Sequence, residues 1–101
     1  MNKKKKWVCI FQKQFREDLS FWVKTNRKVA LRVLNLVEDT VRDPYQGIGK
    51  PESLKHIPGN VWSRRITLED RLVYRVYEIR LIFYKLDIII KCILFRQQKK
   101  I

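Results

Sequence analysis

The chain has 101 residues, 46% of them hydrophobic and 12% aromatic, which suits one small packed domain and excludes a chain disordered along its whole length. Lys and Arg number 23 against 10 Asp and Glu, a formal net charge of +13, and a field of that sign attracts polyanions: nucleic acid or an acidic protein first, an anionic membrane surface third. The single histidine and the two distant cysteines, Cys9 and Cys92, lack the ligand spacing of a zinc site and read as an incidental imidazole and two reduced, buried thiols.

The lysines at the start resemble the opening of a signal peptide, but the apolar run that follows, Trp7 to Phe11, is too short for its hydrophobic part. Leu81 to Phe95 carries Lys85, Asp87 and Lys91 and is too charged to span a bilayer. The chain therefore reads as soluble and cytoplasmic, with no membrane partner. Trp7 to Phe11 is β-branched and aromatic and reads as a first strand. Phe15, Leu19, Trp22 and Val23 recur at helical spacing, which predicts an amphipathic helix over Lys13 to Lys24. Asn26 is placed to cap a second helix, whose face carries Val29, Val33, Leu36, Val37 and Val41 and which ends near Arg42 ahead of Pro44.

Asp43 to Gly49 is a loop by composition, Leu54 anchors a short turn, and Pro58-Gly59-Asn60 is a tight turn. Val61 to Ile66 reads as a strand with Trp62, Arg64 and Ile66 on one face and Ser63 and Arg65 on the other. Thr67 to Asp70 forms a hairpin loop into a strand over Arg71 to Tyr77, with Leu72, Tyr74 and Val76 on one face. One or two more strands fill Ile79 to Phe95, and Gln97 to Ile101 is a basic tail. The order predicts a single α+β domain over residues 1–101, with the N-terminal strand and two helices packed on a small antiparallel sheet.

Chemistry-bearing residues concentrate between Lys50 and Tyr74. Glu52 lies between Lys50 and Lys55, and a glutamate among cations stays ionised, able to accept a proton from a ribose 2′-hydroxyl within reach. Spacing alone favours a plainer role, an exposed carboxylate in a loop ion pair. Arg65 and Arg71 bracket the hairpin and are predicted to face the same way on adjacent strands, where an anion such as phosphate would relieve their repulsion. The alternative is a solvated face with Arg stems laid over apolar neighbours. His56 near a turn reads as structural, Lys50 and Lys55 as ordinary exposed lysines or phosphate contacts, and Trp62 and Tyr74 as core side chains rather than base-stacking ones. With scattered carboxylates and no Walker-type glycine loop, any hydrolysis here is expected to need no metal and no cofactor.

Taken together, Pro44-Tyr45, Gly47, Gly49-Lys50-Pro51-Glu52, Leu54-Lys55-His56, Gly59, Trp62-Ser63-Arg64-Arg65-Ile66-Thr67 and Arg71-Leu72-Val73-Tyr74 resemble the Txe/YoeB branch of the RelE superfamily of toxins. The resemblance implies a RelE-like fold and a ribosome-dependent mRNA endoribonuclease of a type II toxin–antitoxin system. Its implied partners are a YefM-type antitoxin, the bacterial ribosomal A site and mRNA, with a homodimer also open. It implies Glu52 as general base, Arg71 as the group that stabilises the transition state, and Lys50, Lys55 and Arg65 as RNA contacts.

The chain departs from that branch after Cys92. The branch ends in a Cys-Arg-Tyr-His-Tyr-like sequence that supplies a general acid, whereas Cys92 is followed here by Ile-Leu-Phe95-Arg96 and a polar tail without histidine. Glu78 to Leu86 is also longer than the corresponding hairpin. Loss of the general acid implies weakened catalysis unless Arg96 or a lysine substitutes. A catalytically inactive module that binds antitoxin or ribosome is the alternative.

Overall fold

A computed structural model describes residues 6–88. Cys92, Arg96, the tail and any strand beyond Ile88 lie outside the described residues. The elements run β1 (Val8–Phe11), α1 (Lys13–Thr25), α2 (Arg27–Arg42), β2 (Glu52–Ser53), β3 (Val61–Arg65), β4 (Asp70–Tyr77) and β5 (Arg80–Ile88). They form two helices on a five-stranded sheet of order β1-β5-β4-β3-β2.

The two helices follow from their apolar stripes and from one residue between them. Asn26 is extended (φ −158°), which stops α1; its N–H donates to the Trp22 carbonyl at 2.7 Å, and its Oδ1 accepts from Val29 N at 3.4 Å to cap α2. At the other end of α2, Pro44 disfavours helical backbone at Asp43, which is extended (φ −155°). The Asp43 carboxylate then accepts from Tyr45 N at 2.9 Å and turns the chain into the loop.

The meander is antiparallel, as expected, and the N-terminal strand joins it in parallel, which makes the five-stranded sheet mixed. β2, β3, β4 and β5 pair antiparallel in sequence, but β1 runs parallel to β5, Cys9 opposite Leu81. The two helices lie between β1 and the rest of the sheet in sequence and provide the long crossover that parallel neighbours need. β2 is a second addition, a two-residue strand formed by pairing Glu52 with Ser63 and Ser53 with Trp62.

Even-numbered residues of β4 face the helices. Leu72, Tyr74 and Val76 pack with Phe15, Val33, Leu36, Ile66, Leu81, Phe83 and Leu86 into the main core. Among the described residues, the other face is only partly covered. A smaller cluster there puts Leu54 over Val61 and Val73, flanked by Ile57 and Tyr84. Between Val73 and Tyr74 the β4–β5 register shifts, since Val73 opposes Lys85 and Tyr74 opposes Phe83; Tyr84 is the extra residue and reaches the open-face cluster. Among the described residues, no helix is long and apolar enough to cross a membrane.

Candidate active site on the open sheet face

Strand register places the sequence candidates. Glu52 opposes Ser63, and Arg65 opposes Arg71 directly, so all three residues lie on the open face. Two strand spacings and two residues of offset separate the Glu52 and Arg71 Cα atoms by roughly 12 Å, a gap two long side chains can close around a phosphate. Glu52, Ser53, Leu54, Lys55, His56 and Arg71 line one cleft of about 650 Å³. Lys50 and Arg65 do not line it: Lys50 sits in the approach to β2 with φ +49°, and Arg65 is exposed beside Arg71. Glu52 forms no salt bridge among the described residues, so the loop ion pair allowed by its spacing is absent.

Arg71 is fixed by the turn before it. Its Nη1 donates to the carbonyls of Thr67, Leu68 and Asp70 at 3.2, 3.1 and 3.3 Å. Thr67 Oγ1 is itself tied to Asp70 Oδ2 at 2.8 Å and accepts from Asp70 N at 3.0 Å, which stiffens the turn. Three carbonyl dipoles thus offset part of the repulsion between Arg65 and Arg71, which stand opposite each other across the strands. Nε and Nη2 of Arg71 take no part in these bonds.

Arg64 is the residue whose importance the sequence did not reveal. It points with Trp62 and Ile66 toward the helices, as the alternation requires, and is completely buried. Nη1 donates to Asp39 Oδ2 at 2.7 Å and to the Ile48 carbonyl at 3.1 Å; Nη2 donates to the carbonyls of Asp43 and Gln46; Nε donates to Tyr74 Oη at 3.2 Å. The 43–49 loop therefore closes around one guanidinium, and the chain leaving that loop becomes β2 with Glu52. Gly47 (φ +131°) permits the closure, because a Cβ there would lie 2.0 Å from Asp39 Oδ2. Tyr74 donates onward to the Pro44 carbonyl. Burial raises its pKa, only partly countered by Arg64, which keeps the hydroxyl protonated as that donor. Tyr74 is thus core, as expected, and Trp62 is half-buried against Tyr45, with ring centroids 5.0 Å apart and its Nε1 donating to Asn60 at 2.9 Å.

Burial by itself raises the Asp39 pKa, but the Ile48 N–H, the Arg64 bond and the charges of Arg64 and Arg42 outweigh it and hold the carboxyl below its ordinary value. A lowered folded pKa adds stability that is complete above the unfolded value of about 4 and is lost as pH falls through the folded one. Urea midpoints measured from about pH 5 to about pH 2 should fall in the parent and fall less steeply in Asp39→Asn.

His56 is the other residue the sequence reading set aside. It is exposed and lines the cleft with Glu52 and Arg71. Its proximity in sequence to Glu52, four residues away with Leu54 anchoring the turn between them, was the available signal. Cys9 is a half-buried free thiol whose pKa is raised by burial, which makes it a poor nucleophile.

Comparison with known proteins accords with this geometry. A family model described as the YoeB-like toxin of bacterial type II toxin–antitoxin systems matches residues 11–89. Toxin YoeB of Escherichia coli (strain K12) is 43% identical over 67 residues, 66% of this chain and 80% of that toxin. The fold is similar to that of a YoeB dimer from Staphylococcus aureus, with a TM-score of 0.73 at 30% identity over 80% of this chain and 94% of that one. It is also similar to a chain of the YoeB–YefM complex from Staphylococcus aureus, with a TM-score of 0.71 at 31% identity over 81% of this chain and 95% of that one. The match over residues 11–89 and the identity to the Escherichia coli toxin lead to one conclusion: the chain belongs to the family of YoeB-like toxins of bacterial type II toxin–antitoxin systems.

Proposed function

We propose that this toxin inhibits translation by cutting mRNA in the A site of the bacterial ribosome. The observation that carries the reading is the single cleft that gathers a carboxylate, a guanidinium, an ammonium and an imidazole: Glu52, Arg71, Lys55 and His56. Glu52 takes the proton of a ribose 2′-hydroxyl, and the freed oxygen attacks the adjacent phosphorus. Arg71, held by its turn, presents Nε and Nη2 to the phosphoryl oxygens as charge builds on them. Lys55 holds a flanking phosphate, with Lys50 and Arg65 as outer contacts. His56 protonates the 5′-oxygen as the P–O bond breaks, leaving a 2′,3′-cyclic phosphate and a 5′-hydroxyl. Side chains supply base, acid and charge stabilisation, so the proposed reaction is metal-independent. An exposed imidazole competes with water for its role, and turnover is expected to be slow.

The net charge of +13 suits both an rRNA-lined site and an acidic antitoxin. The solved YoeB–YefM complex supports a YefM-type antitoxin as partner, and the YoeB dimer supports self-association. The test is cleavage of end-labelled mRNA on programmed ribosomes by the purified protein. A cut within the A-site codon, ending in a cyclic phosphate, is expected; translation blocked without a cut would leave occupancy as the function. In the same assay His56→Asn should slow cleavage about 10²-fold. A parental rate in that variant would remove His56 from the reaction.

A further inference from the structure

Odd-numbered residues of β4 share the open face, and the cleft uses only Arg71 at one end. Val73 in the middle is buried under Leu54, with Ile57 and Tyr84 beside it. Beyond that cover lie Arg75 and Tyr77, and Tyr77 pairs with Arg80 across the β4–β5 turn. The Arg75 guanidinium carbon stands 4.9 Å from the Tyr77 ring centroid, and that of Arg80 stands 6.0 Å from it. At about 3.4 Å per residue, Tyr77 is roughly 20 Å along the strand from Arg71, too far to belong to the same subsite.

Arg75 is positioned without a carboxylate. Gly59 (φ +91°) lies against it so closely that a Cβ there would be 3.2 Å from Nε and 3.3 Å from Cζ. Its Nε is buried with no hydrogen-bond partner, and no acidic side chain among the described residues forms a salt bridge with it. Burying one nitrogen of an unpaired guanidinium is unfavourable, and an anion on the group's remaining nitrogens would offset part of that cost. The local carboxylate, Glu78, is engaged by Arg80 at 2.7 Å. Tyr77 nevertheless remains 46% exposed. An exposed ring beside two guanidinium groups matches a nucleotide: any base has a face to stack, and Arg donors fit phosphate oxygens. An acidic peptide would satisfy the cations and leave the ring unused.

We propose that Arg75, Tyr77 and Arg80 form a second contact for single-stranded RNA, outside the cleavage cleft, with a base on Tyr77 and phosphates on the two arginines. This rests on the reading of the chain as an RNA-binding toxin, but not on its cutting RNA. The test titrates the full chain with a ten-residue 2′-O-methyl oligoribonucleotide, which offers no 2′-hydroxyl for attack, at several salt concentrations. The triple variant Arg75→Gln/Tyr77→Ser/Arg80→Gln should weaken binding at least about tenfold and reduce the log–log salt slope by about 1.4, the share of two phosphates. Tyr77→Phe should keep parental affinity while Tyr77→Ser alone loses several-fold, and thermal unfolding of each variant checks that the fold persists. Parental affinity and slope in the triple variant would overturn the proposal, as would a parent that binds no oligonucleotide at low salt. Lost binding of a ten-residue polyglutamate probe with RNA binding intact would overturn it in favour of a protein partner. A parent that leaves ribosome-bound mRNA uncut, beside a triple variant that still loses oligonucleotide affinity, would refute the cleavage reading and leave this contact standing.

Discussion

Arg64→Met should cost the fold about 3–5 kcal/mol, since it leaves a half-buried carboxylate and three carbonyls without their donor, at about 1–3 kcal/mol for each group left unsatisfied. Asp39 would lose its main counter-charge, and the carbonyls of Asp43, Gln46 and Ile48 would lose their shared donor. For a domain of this size that corresponds to a fall in Tm of roughly 15–30 °C, and total stability is typically only about 5–15 kcal/mol. Arg64→Lys should recover part of the loss, since one ammonium cannot address acceptors spread along a planar fork. Asp39→Leu added to Arg64→Met should recover more stability, because apolar replacement of both partners removes the stranded carboxylate. It should not restore protection of the Ile48 amide against hydrogen exchange, since that N–H donates to Asp39 at 2.8 Å in the parent. Denaturant unfolding of the four proteins decides the matter. A loss below about 1 kcal/mol for Arg64→Met would mean that the 43–49 loop holds its shape without the guanidinium.

What could be read in the sequence was local. The helices were legible because apolar side chains recur at helical spacing and Asn26 has the right chemistry to stop one helix and start the next. The β3–β4 hairpin was legible because Trp62 to Ile66 and Leu72 to Val76 alternate, and that alternation correctly set Arg65 and Arg71 facing the same way on adjacent strands; their direct pairing is what the structure adds. The parallel pairing of β1 with β5 was not, since parallel neighbours meet through a long crossover and leave no turn signature. β2 was missed because Glu52 and Ser53 have no strand propensity of their own; pairing with β3 makes them a strand. The alternation even assigned Arg64 to the core face. Its partner Asp39 is 25 residues away on another element, and nothing local announces such a pair.

The same limit applies to the site. Glu52 and Arg71 were singled out from residue type and resemblance, whereas the cleft that joins them to His56 exists only after β2 docks on β3. Its chemistry therefore depends on a loop whose shape Arg64 sets from the other side of the sheet.

Glu52→Gln is the substitution with the largest expected effect on function. The amide keeps the size and shape of the side chain but cannot accept the 2′-hydroxyl proton, so single-turnover cleavage on programmed ribosomes should slow by 10²- to 10⁴-fold, the usual contribution of a positioned base. Glu52 is exposed and forms no salt bridge among the described residues, so the change should leave the unfolding midpoint within about 0.5 kcal/mol of the parent. Stability and rate thus separate, which they do not for Arg64→Met. Affinity for the ribosome should persist or rise, since the variant carries one negative charge fewer in a field that attracts RNA. Growth inhibition on expression then divides the two readings of the chain. Relief of inhibition with ribosome binding intact identifies cleavage as the toxic act. Toxicity equal to the parent's, with ribosome binding intact, would remove Glu52 from the mechanism and make occupancy of the A site the way this toxin stops translation.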